Sequence, residues 1–362
     1  VILALLAALA VVCFAGVTGL SRLYRAQRES LGNRWFSRGV ADLNARRFDR
    51  AVVEFRAALV YSRDDYAYQL NLAQALMGLR RTGEAYAYFI NLWDRQPEDG
   101  LVNLELARIA AQQGQTEQAL RYYHNAIYAT WSEAQAGSAE VQRRDARLEL
   151  IEFLLRINAN AEAQSELIAL AENLGEDSTQ QAQVGDLFVR AQNYEHALAA
   201  YRVSLKNNRH NADALAGAGL AAFELGRYEV AQPYLQAAVD ANSGDIQNAD
   251  RLKTVELVLR MDPFREGISA AQRDHAVIED FAAAGERMKS CGAGSGSLAD
   301  LSDSWTRLKP QLTAARLRRD PDSVNKAMAL VFSIERQTSA DCGTPAGADL
   351  ALLLIAKLHE GQ

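Results

Sequence analysis

The chain has 362 residues, is 49% hydrophobic with only 6 prolines, and carries a formal net charge of -6. Much of its apolar share is Ala and Leu, which enter helices at little entropic cost, so an all-helical chain is expected. The acidic balance, with no basic stripe in the central part, argues against nucleic acid as a partner. The 3 cysteines show no CxxC spacing and the 5 histidines are scattered, so neither a metal nor a cofactor is expected.

The chain opens on VILALLAALAVVCFAGVTGL, residues 1–20, which contains no charge. At about 1.5 Å per residue such a helix spans roughly 30 Å, the thickness of a bilayer core. These residues are read as a single transmembrane anchor, with a cleaved signal peptide as the rival reading, and 21–31 as a juxtamembrane linker. Arg22, Arg25 and Arg28 follow the segment and by themselves favour a cytoplasmic flank. Because the sequence begins on Val, charges ahead of the segment are left open.

From residue 32 to 262 the sequence repeats itself. Ala51, Ala85, Ala119, Ala163, Ala197 and Ala231 recur at spacings of 34, 34, 44, 34 and 34. Four residues after each stands a large side chain: Phe55, Phe89, Tyr123, Leu167, Tyr201 and Leu235. Twelve before stand Gly39, Ala73, Ala107, Ile151, Gly185 and Gly219, five of them small. Two antiparallel helices approach closely where small residues sit at their crossing, and the large ones fill the space to the next pair. Such a hairpin cannot bury its own apolar face, so copies must stack. Polar turns such as Arg80-Arg81-Thr82-Gly83 and Gln192-Asn193 separate the two helices of a copy. The longer 44-residue step reflects ten extra residues around WSEAQAGSAEVQR, from Trp131, read as a longer loop or an extended helix end, and as a break between two three-copy halves. A further helix near Asp245 to Arg260 would cap the array.

The best copies, LAGAGLAAFELGRYEVAQPYLQAAVDANSGD from Leu215 and VGDLFVRAQNYEHALAAYRVSLKNN from Val184, resemble the tetratricopeptide repeat family, of a membrane-anchored bacterial type. The resemblance covers about six copies and implies a right-handed α-solenoid. It also implies a ligand groove along the first helix of each copy, at Asn71, Gln74, Glu105, Arg108, Glu149, Glu152, Arg156, Gln183, Asp186 and Arg190. The family's carboxylate clamp of Lys, Arg and Asn residues is not reproduced at these positions, and the same residues also suit plain solvated helix faces.

In the C-terminal region, 263–362, the period stops. Amphipathic helices are expected near Ile268 to Lys289, Leu298 to Leu317, Asp322 to Gln337 and Ala348 to His359, the second kinked or restarted at Pro310. Cys291 and Cys342 are candidates for a disulfide, which would favour an oxidising compartment; two free thiols are the other reading. Weighed against the arginines, the cysteines tip the soluble part towards the extracytoplasmic, periplasmic side of a single-pass membrane protein.

No P-loop, GxGxxG, GxSxG or HExxH motif is present. Glu149 and Glu152 share a helix face, but a solvated or groove-lining pair is the plainer reading. A non-catalytic scaffold is therefore expected, tethered through its N-terminal helix and binding protein partners. The alternatives are a permanent structural subunit of an envelope assembly and, behind that, an enzyme with its site in the C-terminal helices.

Overall fold

The computed structural model describes residues 2–131, 138–175, 177–292, 298–320 and 322–360, with the backbone alone for 2–13. Among the described residues five helical hairpins form, α1 (Ile2–Asn44) with α2 (Phe48–Tyr61), α3 (Tyr66–Gly78) with α4 (Thr82–Arg95), α5 (Gly100–Gln112) with α6 (Thr116–Tyr128), α9 (Ser178–Arg190) with α10 (Tyr194–Asn207), and α11 (Ala212–Glu224) with α12 (Tyr228–Ala241), and α7 (Ala139–Arg156) and α8 (Asn160–Asn173) come between the third and the fourth in the chain. Then come α13 (Ile246–Met261), α14 (Ala270–Ser290), α15 (Ala299–Leu308), α16 (Ala314–Arg319), α17 (Asp322–Cys342) and α18 (Ala348–Leu358). No strand forms among the described residues, and Asp99 and Thr130 make an isolated bridge. The fold is an all-α solenoid of hairpins.

The recurring small residues make room for the large side chains of the second helix. A Cβ on Gly39 would lie 2.5 Å from the Phe55 ring, and one on Gly185 would lie 2.6 Å from Tyr201. On Gly219 it would meet Leu235 at 2.7 Å. In each case the small residue on the first helix faces the large residue sixteen positions later on the second. The periodic alanines Ala51, Ala85, Ala119, Ala163, Ala197 and Ala231 are all fully buried.

A second periodic signal fixes where the first helices begin. Asp65, Asp99, Asp177, Asn211 and Asp245 each accept, through the side chain, the backbone N–H three residues on. These caps satisfy donors that the helix itself leaves open, each worth roughly 1 kcal/mol. Apart from the long step they recur every 34 residues.

The chain divides into two compact units, Val1–Ala159 and Asn160–Gln362. The division falls between α7 and α8, and not at the insertion after Trp131. The insertion is anchored to what precedes it. Gly100 N–H donates to the Thr130 carbonyl at 3.1 Å, and Thr130 N–H to that of Glu98 at 3.1 Å. Trp131 is buried, donates Nε1–H to the Ala126 carbonyl at 2.9 Å, and lies flat where a Cβ on Gly100 would otherwise sit. Residues 132–137 lie outside the described residues, and α7 then runs for 18 residues against 13 in α5.

In the first unit, α1 runs unbroken through residues 21–31, so the expected linker is helical. Its sequence, SRLYRAQRESL, holds neither Gly nor Pro to stop a helix. Among the described residues no helix is long and apolar enough to cross a membrane. The expected anchor, 1–20, rests largely on the side chains of 1–13, which lie outside the described residues.

In the second unit the C-terminal region does not stand apart from the array, because α18 packs on α13 as well as on α14 and α17. The expected helix from Leu298 to Leu317 is broken: α15 ends at Leu308, a 3-10 turn spans Lys309–Gln311, and α16 restarts at Ala314. Pro310, which has no N–H to donate, is the cause. The structure joins Cys291, at the end of α14, to Cys342, at the end of α17, in a disulfide with the Cα atoms 5.9 Å apart.

Candidate binding face

The ten first-helix positions fall on four helices, and the structure treats them unequally. In the first unit, Arg108 on α5 reaches Glu149 on α7 with two bonds, Nε to Oε2 at 2.8 Å and Nη2 to Oε1 at 2.5 Å. Its Nη1 donates to Glu105 one turn back at 2.7 Å. Glu105 is buried, and burial pushes its carboxyl above the usual range, while Arg108 pulls it down and Glu149 adds to the rise. The bidentate bond to Glu149 raises the Arg108 guanidinium still further, so it stays charged. Tyr123, half of the same neighbourhood, is raised by burial and then by Glu149. This trio spends its charge internally, stapling one copy's first helix to the next.

The remaining positions of that unit lie at or near the surface. Asn71 donates to the Ala67 carbonyl of its own helix at 2.9 Å and Gln74 is half-buried beside it. Glu152 and Arg156 are exposed on α7, with the Arg156 guanidinium 5.9 Å from the centre of the Phe153 ring. In the second unit, Gln183, Asp186 and Arg190 line one exposed face of α9. Asp186 accepts the Tyr201 hydroxyl at 2.6 Å, and burial followed by that bond raises the Tyr201 phenol, which keeps its proton.

Sequence reasoning missed a buried polar knot behind the first unit's face. Asn103, fully buried, donates to the carbonyls of Pro97 and Asp99 at 2.7 and 2.8 Å. It accepts from Trp93 Nε1 at 3.2 Å and from Asn125 at 3.3 Å. All its bonding capacity is engaged, so it orders the α4–α5 junction and is closed to ligands. An amide four residues after the capping Asp99 was the available signal. Among the described residues no group of three His, Cys, Asp or Glu side chains could hold a metal ion.

The family comparison agrees with this geometry. Residues 70–138 and 185–246 match the tetratricopeptide repeat model. These two stretches are thus of the tetratricopeptide type, and they contain or border most of the ten positions. Solved structures that resemble the chain include YrrB, described as a tetratricopeptide protein with an unusual peptide-binding site. It is 16% identical, with 54% of this chain and 95% of that one covered, at a TM-score of 0.42. PilF of Pseudomonas aeruginosa is 15% identical over 62% of this chain and 97% of its own, with a TM-score of 0.42. PilW, described as a type IV pilus biogenesis factor, is 14% identical over 62% and 98%, with a TM-score of 0.41. No curated protein matches the sequence.

Proposed function

We propose that this protein is a non-catalytic scaffold that binds protein partners through the first-helix faces of its tetratricopeptide hairpins. The apolar segment at 1–20 holds it to a membrane, with the soluble part on the extracytoplasmic side. The observation that carries the reading is the polar make-up of the first-helix faces, with Glu152, Arg156, Gln183, Asp186 and Arg190 exposed. Glu105, Arg108 and Glu149 satisfy one another, and Asn71, Gln74, Glu152 and Arg156 present amides and both signs of charge at the surface. Mixed polar side chains on a rigid scaffold suit a polar peptide or protein surface better than a small apolar ligand. Tethering raises the effective concentration of such a scaffold near membrane-bound partners without any added contact.

Cross-linking with mass spectrometry in native membranes tests this, comparing wild type with an N71A/Q74A/E152A/R156A variant and with a Q183A/D186A/R190A variant. Cross-links to a partner that disappear in either variant support the proposed face. Cross-links that persist in both would move binding to another surface. A partner that never exchanges and always co-purifies in fixed ratio would favour a permanent structural subunit instead.

A further inference from the structure

We infer that Asp280 and Glu335 form a proton-binding pair that latches the C-terminal helix: α18 stays closed over them while they carry protons and is released when they ionise. The two carboxyls stand on adjacent helices, α14 and α17, which pack against each other and both contact α18. Both residues are fully buried, and none of their four carboxyl oxygens has a hydrogen-bond partner. A buried carboxylate in that condition is among the most costly arrangements a protein interior can hold, and a bound proton is the simplest relief.

The charges around the pair do not neutralise it. Asp280 faces Glu279 on its own helix, Asp262 at the end of α13, and Glu335, with Arg260 of α13 as the opposing cation. Glu335 faces Asp349 of α18 and, on α14, Arg287. Arg287 is shared: its Nε lies 3.7 Å from Asp349 and its Nη2 donates to the Gly343 carbonyl at 3.1 Å. Arg273 and Arg318 are taken up by Asp274. Burial first, and these carboxylates second, push Asp280 up to about 8, and burial with Asp349 does the same for Glu335.

Helix α18 is the element placed to yield. It is 11 residues long and buries Ala351, Leu352, Ile355 and Ala356. Its N-terminal end rests on the Asp349–Arg287 contact. Its C-terminal end is pinned by His359, whose Nε2 lies 3.2 Å from Asp262 Oδ1 and whose ring lies 4.8 Å from that of Phe264. The two floor helices are held together by the Cys291–Cys342 disulfide, so repulsion between ionised Asp280 and Glu335 cannot part them at that end. Opening of α18 brings water to both carboxylates at far less disruption.

The closed form holds two protons that the open form releases above the ordinary carboxylate range, roughly pH 4. Closure is therefore strongest below that value, weakens as pH rises, and reaches its floor once both groups have ionised in the closed form, above about pH 8. Two linked protons make the closing constant fall by roughly 100-fold per pH unit inside that window, and one proton by roughly 10-fold. Hydrogen exchange of the intact chain, corrected for the intrinsic pH dependence of exchange, reads this directly. Protection of the α18 amides should fall between about pH 5 and 7 at close to the two-proton slope, with α10–α12 unaffected. D280N or E335Q should each reduce the slope to the one-proton value, and the double variant should abolish it. Flat α18 protection in wild type, or an unchanged slope in the double variant, overturns the latch. The infrared band of protonated carboxyls gives a check that needs no variant: it should be present in wild type near pH 7 and lost by about pH 9, and its absence near pH 7 overturns the proposal equally.

Discussion

At the level of single residues, the turn between the two helices of each copy stores a small, repeated strain. Arg46, Arg80, Gly114, Asn158, Gln192 and Gly226 occupy the same place in successive copies, and all adopt positive φ, between 57° and 70°. The residue after each one donates back to the last turn of the first helix, as Arg81 does to the Leu76 carbonyl at 2.9 Å. Only two of the six are glycine, although an ordinary L-residue pays about 1–2 kcal/mol in this region. Arg80→Gly and Gln192→Gly should each stabilise the chain by about 0.5–1 kcal/mol, after the extra freedom glycine gives the unfolded chain. Gly114→Ala should destabilise by about 1 kcal/mol, purely through the backbone, since a Cβ there has nothing within 4 Å. Denaturant midpoints decide this, and a destabilised Arg80→Gly would mean that the arginine side chain contributes more than its backbone loses. The ion trio makes the opposite kind of prediction. Arg108→Ala strands buried Glu105 without its cation and should cost about 2 kcal/mol. Adding Glu105→Gln should recover part of that loss; no recovery would show that the lost link to Glu149 dominates.

Among the elements, the insertion after the third copy is the point where the array departs from its period, and Trp131 is what reconciles the two. The ring fills the space left by Gly100 at the start of α5, while the Thr130 bridge ties the departing chain to the previous turn. Trp131→Ala should therefore cost about 3 kcal/mol and should raise hydrogen exchange at Gly100 and Thr130 before it does so elsewhere in the first unit. Uniform exchange across that unit would show that the ring supports the whole hairpin stack. Most of the helices could be read beforehand, because the pairing of Gly39 with Phe55 or Gly185 with Tyr201 depends on spacing within one hairpin. The caps at Asp65, Asp99 and Asp177 carried the same period and would have placed the helix starts too. What could not be read was contact across longer separations. The approach of α18 to α13 depends on side chains about a hundred residues apart, such as His359 and Asp262, and neither has a local pattern around it.

For the molecule as a whole, the repeat made legible that the ten proposed positions lie on first helices, α3, α5 and α7 in one unit and α9 in the other. The trio of Glu105, Arg108 and Glu149 was not legible, because Arg108 and Glu149 lie 41 residues apart, on either side of the irregular step. The cysteines were legible only as candidates, since pairing depends on α14 and α17 ending side by side. Their bond closes a loop of 51 residues, which in the chain-entropy model is worth about 4 kcal/mol. Reduction, or a C291S/C342S double variant, should lower the stability of the second unit by about that amount while leaving its helix content in place, because α14 and α17 also pack along their length. Far-ultraviolet circular dichroism with denaturant titration reads both quantities, and a loss of helix at zero denaturant would show that the bond holds α17 in the fold. The same pair tests the compartment proposed for the soluble part. Treated in intact cells with a membrane-impermeant thiol reagent, Cys291 and Cys342 should stay unlabelled until a reductant is added, since an oxidising compartment keeps the bond closed. Labelling that needs cell lysis would place the second unit on the cytoplasmic side, in agreement with Arg22, Arg25 and Arg28 and against the proposal.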